Sequence, residues 1–275
     1  MIAADLDAYF RRLGFREKAE PTLGVLERLH ALHAEKIPFE NLSPFLGEPV
    51  RLDLGSLQAK LLESGRGGWC FEHNLLLSHM LLEIGFKVTR LAARVRWNVP
   101  SSVITPRSHM LLLLELEEGN YIADVGFGGL TLTAPLRLAA GVEQATPHEP
   151  HRLVAAGAGY ILEAKVAGEW QVLYTFELHE QQIVDYEVSN WYLCNHPQSQ
   201  FVTGIVAARA APDRRHALRN TRYAIHYPGG RTEKRFITDV AEYREALAGP
   251  FEIRLPAAPG LDAKLQRMID ANPPG

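Results

Sequence analysis

The stretch GRGGWCFEHNLLLSHMLLEIGFKVTRLAARVRW, residues 65–97, decides how the chain is read. Gly65, Gly67 and Gly68 lead directly into Cys70, and glycines there let the backbone turn tightly and approach other groups closely. From Cys70 to Ile84 the residues are strongly apolar and lack glycine and proline, which predicts a buried helix. Gly85 stops it as a residue suited to the left-handed C-terminal cap. From Lys87 the pattern changes to short strands, the first expected over 88–97.

On the N-terminal side the spacing predicts helices over 5–13 and 22–37, the second with Leu23, Leu26, Leu29 and Leu32 at helical intervals. Thr22 is suited to cap that helix and Pro38 to end it, and a further short helix is expected over 54–64. On the C-terminal side strands are expected over 108–116, 121–125, 152–154, 160–166 and 170–176, separated by turn signals such as Glu118-Gly119-Asn120 and Ala167-Gly168. Residues 181–195 are mixed and suit a helix. Strands are expected again over 202–208, 222–227 and 234–238, followed by helices over 240–247 and 262–269 and a frayed tail over 272–275.

Helices first, then strands, then a mixed region is an α+β order, with regularly spaced strands pointing to an antiparallel barrel or sandwich. No glycine-rich nucleotide motif follows a strand and opens a helix.

With 275 residues, 47% hydrophobic and 22% charged, the chain has the mix of an ordinary globular protein. A net charge of −3 gives no general attraction to nucleic acid. The longest apolar run, residues 110–114, is too short to cross a bilayer, and MIAADLDAYF has no signal-peptide character, so a soluble cytoplasmic protein is expected. Two cysteines argue against a disulfide framework and exclude a multi-cysteine zinc site. No metal is expected: Cys70 and His73 are half of a ligand set with no second pair. His30 and His33, at i, i+3, read as solvated or capping groups, and the run Arg214, Arg215, His216, Arg219 reads as a solvated face or a contact for phosphates.

A cysteine in the first turn of a helix feels the positive end of the helix dipole and the free N–H groups, which favour its nucleophilic thiolate form. A small buried hydrophobe is the competing reading for Cys70, and the better one for Cys194. A thiol nucleophile needs a base, and the base an orienting group. His109 opens an apolar strand, and Asp124 lies in the apolar segment YIADVGFGG, where burial demands a partner. The turn between the two strands makes a hairpin that would bring His109 and Asp124 together.

The chain resembles the arylamine N-acetyltransferases, bacterial type. YFRRLGF at 9–15, HAEKIPFENL at 33–42, RGGWCFEHN at 66–74, SHMLLL at 108–113, YIADVGFGG at 121–129, NWY at 190–192 and SQF at 199–201 are similar to that family's motifs, in order and at compatible spacing. The resemblance implies an N-terminal helical bundle (1–86), an antiparallel β-barrel (87–190) and a C-terminal α/β lid (191–275) around a cysteine-protease-like core. It implies Cys70 as nucleophile, His109 as base and Asp124 as orienting carboxylate, with acetyl-CoA as co-substrate and a small arylamine or arylhydrazine as acceptor. Self-association is left open.

By the same resemblance, Ser108, Trp97 and the loop Gly126, Phe127, Gly128, Gly129 are expected near the acyl donor. Phe39, Phe71, Val95 and Phe201 are expected near the acceptor. Trp97, Val95, Phe39 and Phe71 serve equally as core residues, and the loop equally as an ordinary turn. Arg12, Glu40 and Arg66 match a charged structural cluster. Three further readings share some of these features: an amide synthase closing a macrolactam from a carrier-bound polyketide, a cysteine hydrolase, and a non-catalytic binding module.

Overall fold

The structure, a computed structural model, describes residues 2–273. Helix α1 (Leu6–Leu13) is capped by Asp5, whose carboxylate accepts from Ala8 N, and ends on Gly14 at φ +71°. Helix α2 (Leu23–Lys36) is capped by Thr22 through Val25 N. Strand β1 (Phe39–Glu40) and helix α3 (Leu42–Leu46) follow. The helix expected over 54–64 is α4 (Leu54–Gln58), continued by a π-helical turn, Ala59–Glu63. Helix α5 spans Cys70–Ile84 and ends at Gly85, φ +106°. Its flanks are apolar on every side because α1, the α4 turn, and strands β2 (Lys87–Val95) and β3 (Arg107–Leu116) pack around it.

β2 and β3 belong to an eight-stranded antiparallel sheet. Its other members are β4 (Gly119–Ala123), β5 (Leu136–Arg137), β6 (Glu143–Gln144), β7 (His151–Ala156), β8 (Gly159–Val166) and β9 (Glu169–Glu180). The order is β5-β4-β3-β2-β9-β8-β7-β6. The Gln144 side chain bridges the two edges: its amide donates to Arg137 O at 2.9 Å and accepts from Arg137 N at 2.8 Å. The sheet therefore nearly closes into a barrel.

β3 explains why a sequence of five consecutive apolar residues is a strand. Side chains alternate across a sheet. Met110, Leu112 and Leu114 enter the core shared with the helical bundle, while Leu111 and Leu113 enter the barrel core. Both faces are buried, so no polar alternation survives.

Helix α6 (Ile183–Asn195) follows the barrel, and the expected division at 190/191 falls within it. A short helix, α7 (Gln200–Thr203), then occupies the start of the strand expected over 202–208; Ser199 Oγ accepts from Phe201 N at 3.3 Å and holds the turn. The strand proper, β10, is Val206–Ala211. It pairs with β1 on one side and with β11 (Arg214–Arg219) on the other, and β12 (Arg222–His226) and β13 (Thr232–Phe236) complete a five-stranded sheet. α8 (Val240–Ala248) and α9 (Leu261–Asp270) contribute Tyr243, Leu247, Leu265 and Met268 to the core beneath that sheet.

Two expectations are corrected here. The stretch 214–219 is a strand, not a solvated run: Arg215 is 1% exposed and paired with Glu149 at 2.7 Å, and His216 is buried. Asn272 is not frayed, because its side chain accepts from Asn220 Nδ2 at 2.9 Å and its carbonyl from Thr221 Oγ1 at 2.8 Å. Pro274 and Gly275, also expected to fray, lie outside the described residues.

Candidate active site

The loop before Cys70 is shaped by what surrounds it. A Cβ on Gly67 would stand 2.0 Å from Pro38 O, and one on Gly68 would stand 2.7 Å from Glu72 Oε2. Glycine at both positions lets the loop lie against β1, with Gly68 O accepting from Glu40 N at 2.8 Å. Glu72 turns back to accept from Trp69 N at 3.1 Å and is paired with Lys60 at 2.7 Å. Burial raises the Glu72 pKa against the pull of Lys60. Cys70 is thus delivered at the first turn of α5, with its sulfur 3.7 Å from Ser108 O.

His109 and Asp124 reach the same place from the barrel. His109 shares a face of β3 with Leu111 and Leu113, and Asp124 follows Ile122 by two, just past the end of β4. His109 Nε2 and Asp124 Oδ2 are 2.6 Å apart, both buried. Desolvation lowers the pKa of the ring, but the Asp124 carboxylate outweighs it, and the Cys70 sulfur adds to the rise, which reaches about 10. Desolvation likewise raises the pKa of Asp124, and His109, Asn74 and Gly126 N overcome it, holding the carboxyl below its usual value. A protonated ring facing a carboxylate on one side and a sulfur on the other is suited to stabilise a sulfur anion and to exchange a proton with it.

Asp124 is fixed by groups to which sequence reading gave no such role. Asn74 Nδ2 donates to Asp124 Oδ1 at 2.9 Å and to Met110 O at 2.7 Å, and Asn74 Oδ1 accepts from Val125 N at 3.1 Å. Gly126 N donates to Asp124 Oδ1 at 2.9 Å. The backbone N of Asp124 donates to His30 Nε2 at 3.2 Å. Asn74 was within reach of sequence reasoning: it stands one helical turn after Cys70, on the same face. Tyr174, whose ring is 5.0 Å from His109 and 5.4 Å from Phe127, carried no comparable signal in the β9 sequence.

His30 and His33, expected to be solvated or capping, are both fully buried. A directed chain runs beneath the glycine loop. His73 Nε2 faces Gly68 O at 3.0 Å and Pro38 O at 3.2 Å, so it carries the hydrogen, and His73 Nδ1 accepts. His33 Nε2 then donates to His73 Nδ1 at 3.0 Å, and Tyr9 O–H donates to His33 Nδ1 at 2.9 Å. Among the described residues no group of three or more His, Cys, Asp or Glu is arranged to hold a metal ion.

The remaining predicted residues divide. A Cβ on Gly126 would stand 2.7 Å from Cys70 Cα, and one on Gly128, at φ +85°, 3.6 Å from the Phe39 ring. The loop is therefore seated between the nucleophile helix and Phe39. Phe127 lies edge-on to His109 at 5.3 Å. The Phe201 ring is 5.0 Å from Trp69 and 6.3 Å from Phe39, so these aromatics gather beside the loop. A Cβ on Gly129 would meet nothing within 4 Å. Val95 pairs with Tyr174 at the end of β2, and Trp97, half-buried, packs on the barrel core with Phe127. Phe71, beside Cys70 in the chain, is fully buried, its ring 5.5 Å from that of Tyr186. The charged cluster is smaller than expected. Arg66 pairs with Glu40 at 2.7 Å, but Arg12 donates instead to Leu61 O at 3.1 Å.

Known proteins share this sequence pattern and fold. A family model described as N-acetyltransferase matches residues 22–259. The chain is 42% identical over 275 residues to the arylamine N-acetyltransferase of Mycolicibacterium smegmatis, spanning 98% of this chain and 100% of the relative. With that of Escherichia coli (strain K12) it is 40% identical over 237 residues, spanning 86% and 84%. The solved M. smegmatis arylamine N-acetyltransferase superimposes with a TM-score of 0.93 at 42% identity, covering 98% and 100% of the two chains. The Mycobacterium marinum enzyme in complex with CoA superimposes with a TM-score of 0.92 at 42% identity, covering 97% and 99%. The chain belongs to the arylamine N-acetyltransferase family.

Proposed function

We propose that this protein transfers an acetyl group from acetyl-CoA to the nitrogen of an arylamine or arylhydrazine, through an acetyl-cysteine at Cys70. The observation that carries the reading is the buried His109–Asp124 pair, 2.6 Å apart, beside a thiol at the first turn of α5. The similarity to a relative solved with CoA supports the donor, and the names of the curated relatives support the acceptor.

In the first half-reaction the Cys70 thiolate, facing the imidazolium of His109, attacks the thioester carbon. The carbon–sulfur bond to CoA breaks, and the departing thiolate takes the proton from His109. In the second half-reaction the amine nitrogen attacks the acetyl carbon, His109 removes a proton from it, and the Cys70 sulfur leaves as the thiolate. Asp124 holds the ring in the tautomer this needs. The backbone N–H groups at the start of α5 are suited to hold the developing oxyanion.

The donor side is assigned to Ser108, Trp97 and the Gly126–Gly129 loop, whose small residues leave room for a thin pantetheine arm. The acceptor side is assigned to Phe39, Phe127 and Phe201, whose rings suit a flat aryl group. No helix among the described residues is long and apolar enough to cross a membrane, and both cysteines are free, which fits a reducing, cytoplasmic setting.

Mass spectrometry of the intact protein after acetyl-CoA alone tests the scheme. One acetyl group on Cys70, removed by an arylamine with formation of the N-acetyl product, is expected. Acetylation that survives Cys70→Ala, or none in the wild type, would end it. Burial pushes the Cys194 thiol up to about 11, so modification at neutral pH reports on Cys70.

A further inference from the structure

A second cleft, sharing no lining residue with the thiol site, opens between the N-terminal helices and the segment after α8. It holds about 440 Å³ and is lined by Arg12, Glu252 and Arg254 and by the apolar Leu62, Ile253 and Leu255, among others. Among the described residues neither of its arginines forms an ion pair, although Glu252 stands among its walls. Arg12 Nε donates to Leu61 O at 3.1 Å, but Arg12 Nη2 is buried without a partner.

Arg254 is exposed, and no carboxylate pairs with it among the described residues. Its stem lies across Gly65: a Cβ there would stand 2.7 Å from Arg254 Cδ, and the glycine adopts a left-handed φ of +64°. Glycine at this position is what lets the arginine lie over the backbone at the rim of the cleft.

The nearby carboxylate is already taken. Glu252 pairs with Arg209 at 2.7 Å, and Arg209 spends its other donors on Glu35 O at 3.0 Å and Pro250 O at 3.2 Å. Three guanidinium groups therefore share one carboxylate. Burial, and then the positive charge of Arg254, pull the Arg12 pKa down against the opposing charge of Glu252.

A guanidinium fork matches the oxygens of a carboxylate or phosphate. Leu62, Ile253 and Leu255 supply apolar wall beside it. We infer that this cleft binds an organic oxyanion, its charged oxygens on the Arg12 and Arg254 guanidinium groups and its apolar part against Leu62, Ile253 and Leu255. Because the walls come from both ends of the chain, such a ligand would tie the N-terminal helices to the C-terminal segment and stabilise the native state by mass action.

Phenyl phosphate and benzoate, titrated separately into the full-length protein by calorimetry and followed by thermal melting, test the site and name the oxyanion. The expected result is that at least one of them binds and raises the melting midpoint more than chloride at equal ionic strength. Arg254→Ala should weaken that binding at least tenfold, about 1.4 kcal/mol, while acetyl-CoA turnover stays at the wild-type level. Arg254→Gln, which keeps the stem over Gly65, serves if the alanine variant does not fold. No rise beyond that of chloride with either compound, or a weakening of less than tenfold, overturns the inference.

Discussion

Asn74 holds Asp124 from the nucleophile's own helix: its Nδ2 donates to Asp124 Oδ1 at 2.9 Å, leaving Oδ2 for His109 at 2.6 Å. The helix that carries the thiol thereby also aims the carboxylate that aims the base. Asn74→Ala would leave Met110 O, Val125 N and one carboxylate oxygen without their side-chain partner in a buried place. Burying unsatisfied groups costs about 1–3 kcal/mol each, so a loss of roughly 3 kcal/mol in urea unfolding is expected. Acetyl-CoA turnover should fall with it. Unchanged stability would show that water replaces the amide.

Stability should fall on the acid side because several histidines are buried neutral. Burial lowers the pKa of His30, His73 and His151 from 6.5 to about 4. Between those values the unfolded chain binds more protons than the folded one. Each such ring's contribution is therefore complete above about pH 6.5 and lost as the pH falls toward 4. By linkage one ring accounts for roughly 3 kcal/mol. Urea midpoints measured from about pH 7 down to about pH 4.5 should decline steeply, and a flat profile would contradict the burial seen here.

The His109–Asp124 pair should act in the opposite direction. The His109 pKa is raised from 6.5 to about 10, so its stabilisation is full below 6.5 and disappears as the pH rises through 10. The stability difference between wild type and Asp124→Asn should therefore shrink on the alkaline side. A difference that does not change with pH would show that the ring is not protonated in the folded state.

Gly126 and Gly129 make a matched pair. A side chain at Gly126 collides with Cys70 Cα at 2.7 Å and with Asn74 Nδ2 at 2.9 Å, whereas one at Gly129 meets nothing within 4 Å. Gly126→Ala should lower stability by about 1–3 kcal/mol, as overpacking does, and suppress Cys70 acetylation. Gly129→Ala should retain both within a small margin, and equal behaviour of the two variants would refute the close approach.

Glu40 is buried against Arg66 with 2.7 Å between Oε1 and Nη2, and its Oε2 accepts from Leu42 N at 2.6 Å. Glu40→Ala strands a buried guanidinium beside the glycine loop. Breaking such a pair costs roughly 3–5 kcal/mol, readable as a lowered melting temperature; a wild-type melt would refute it.

Much of the architecture was legible in local pattern. Helices α1, α2 and α5 announce themselves by apolar content and spacing, α2 also by Thr22 at its start and α5 by Gly85 at its end. The β3–β4 hairpin, which brings His109 to Asp124, follows from two apolar runs and a Glu-Gly turn. Other features depend on partners distant in the chain. Residues 202 and 203 read as the start of a strand, yet they belong to the helical turn Gln200–Thr203 that the Ser199 hydroxyl begins. Arg215 reads as solvated until Glu149, on the barrel side, is placed against it. His30 and His33 read as surface groups because nothing local reveals that Asp124 N, Tyr9 and His73 satisfy them inside.

The sequence by itself determined the order of elements and the residue types able to do thiol chemistry, since periodicity, caps and glycine conformations act within a few residues. Tertiary structure decided which of those residues meet. Asn74 against Asp124 and Gly126 against Cys70 follow from packing α5 on the barrel, and Phe71 against Tyr186 from packing it on α6. That packing is a matter of distances between segments far apart in the chain, and local pattern does not carry such distances.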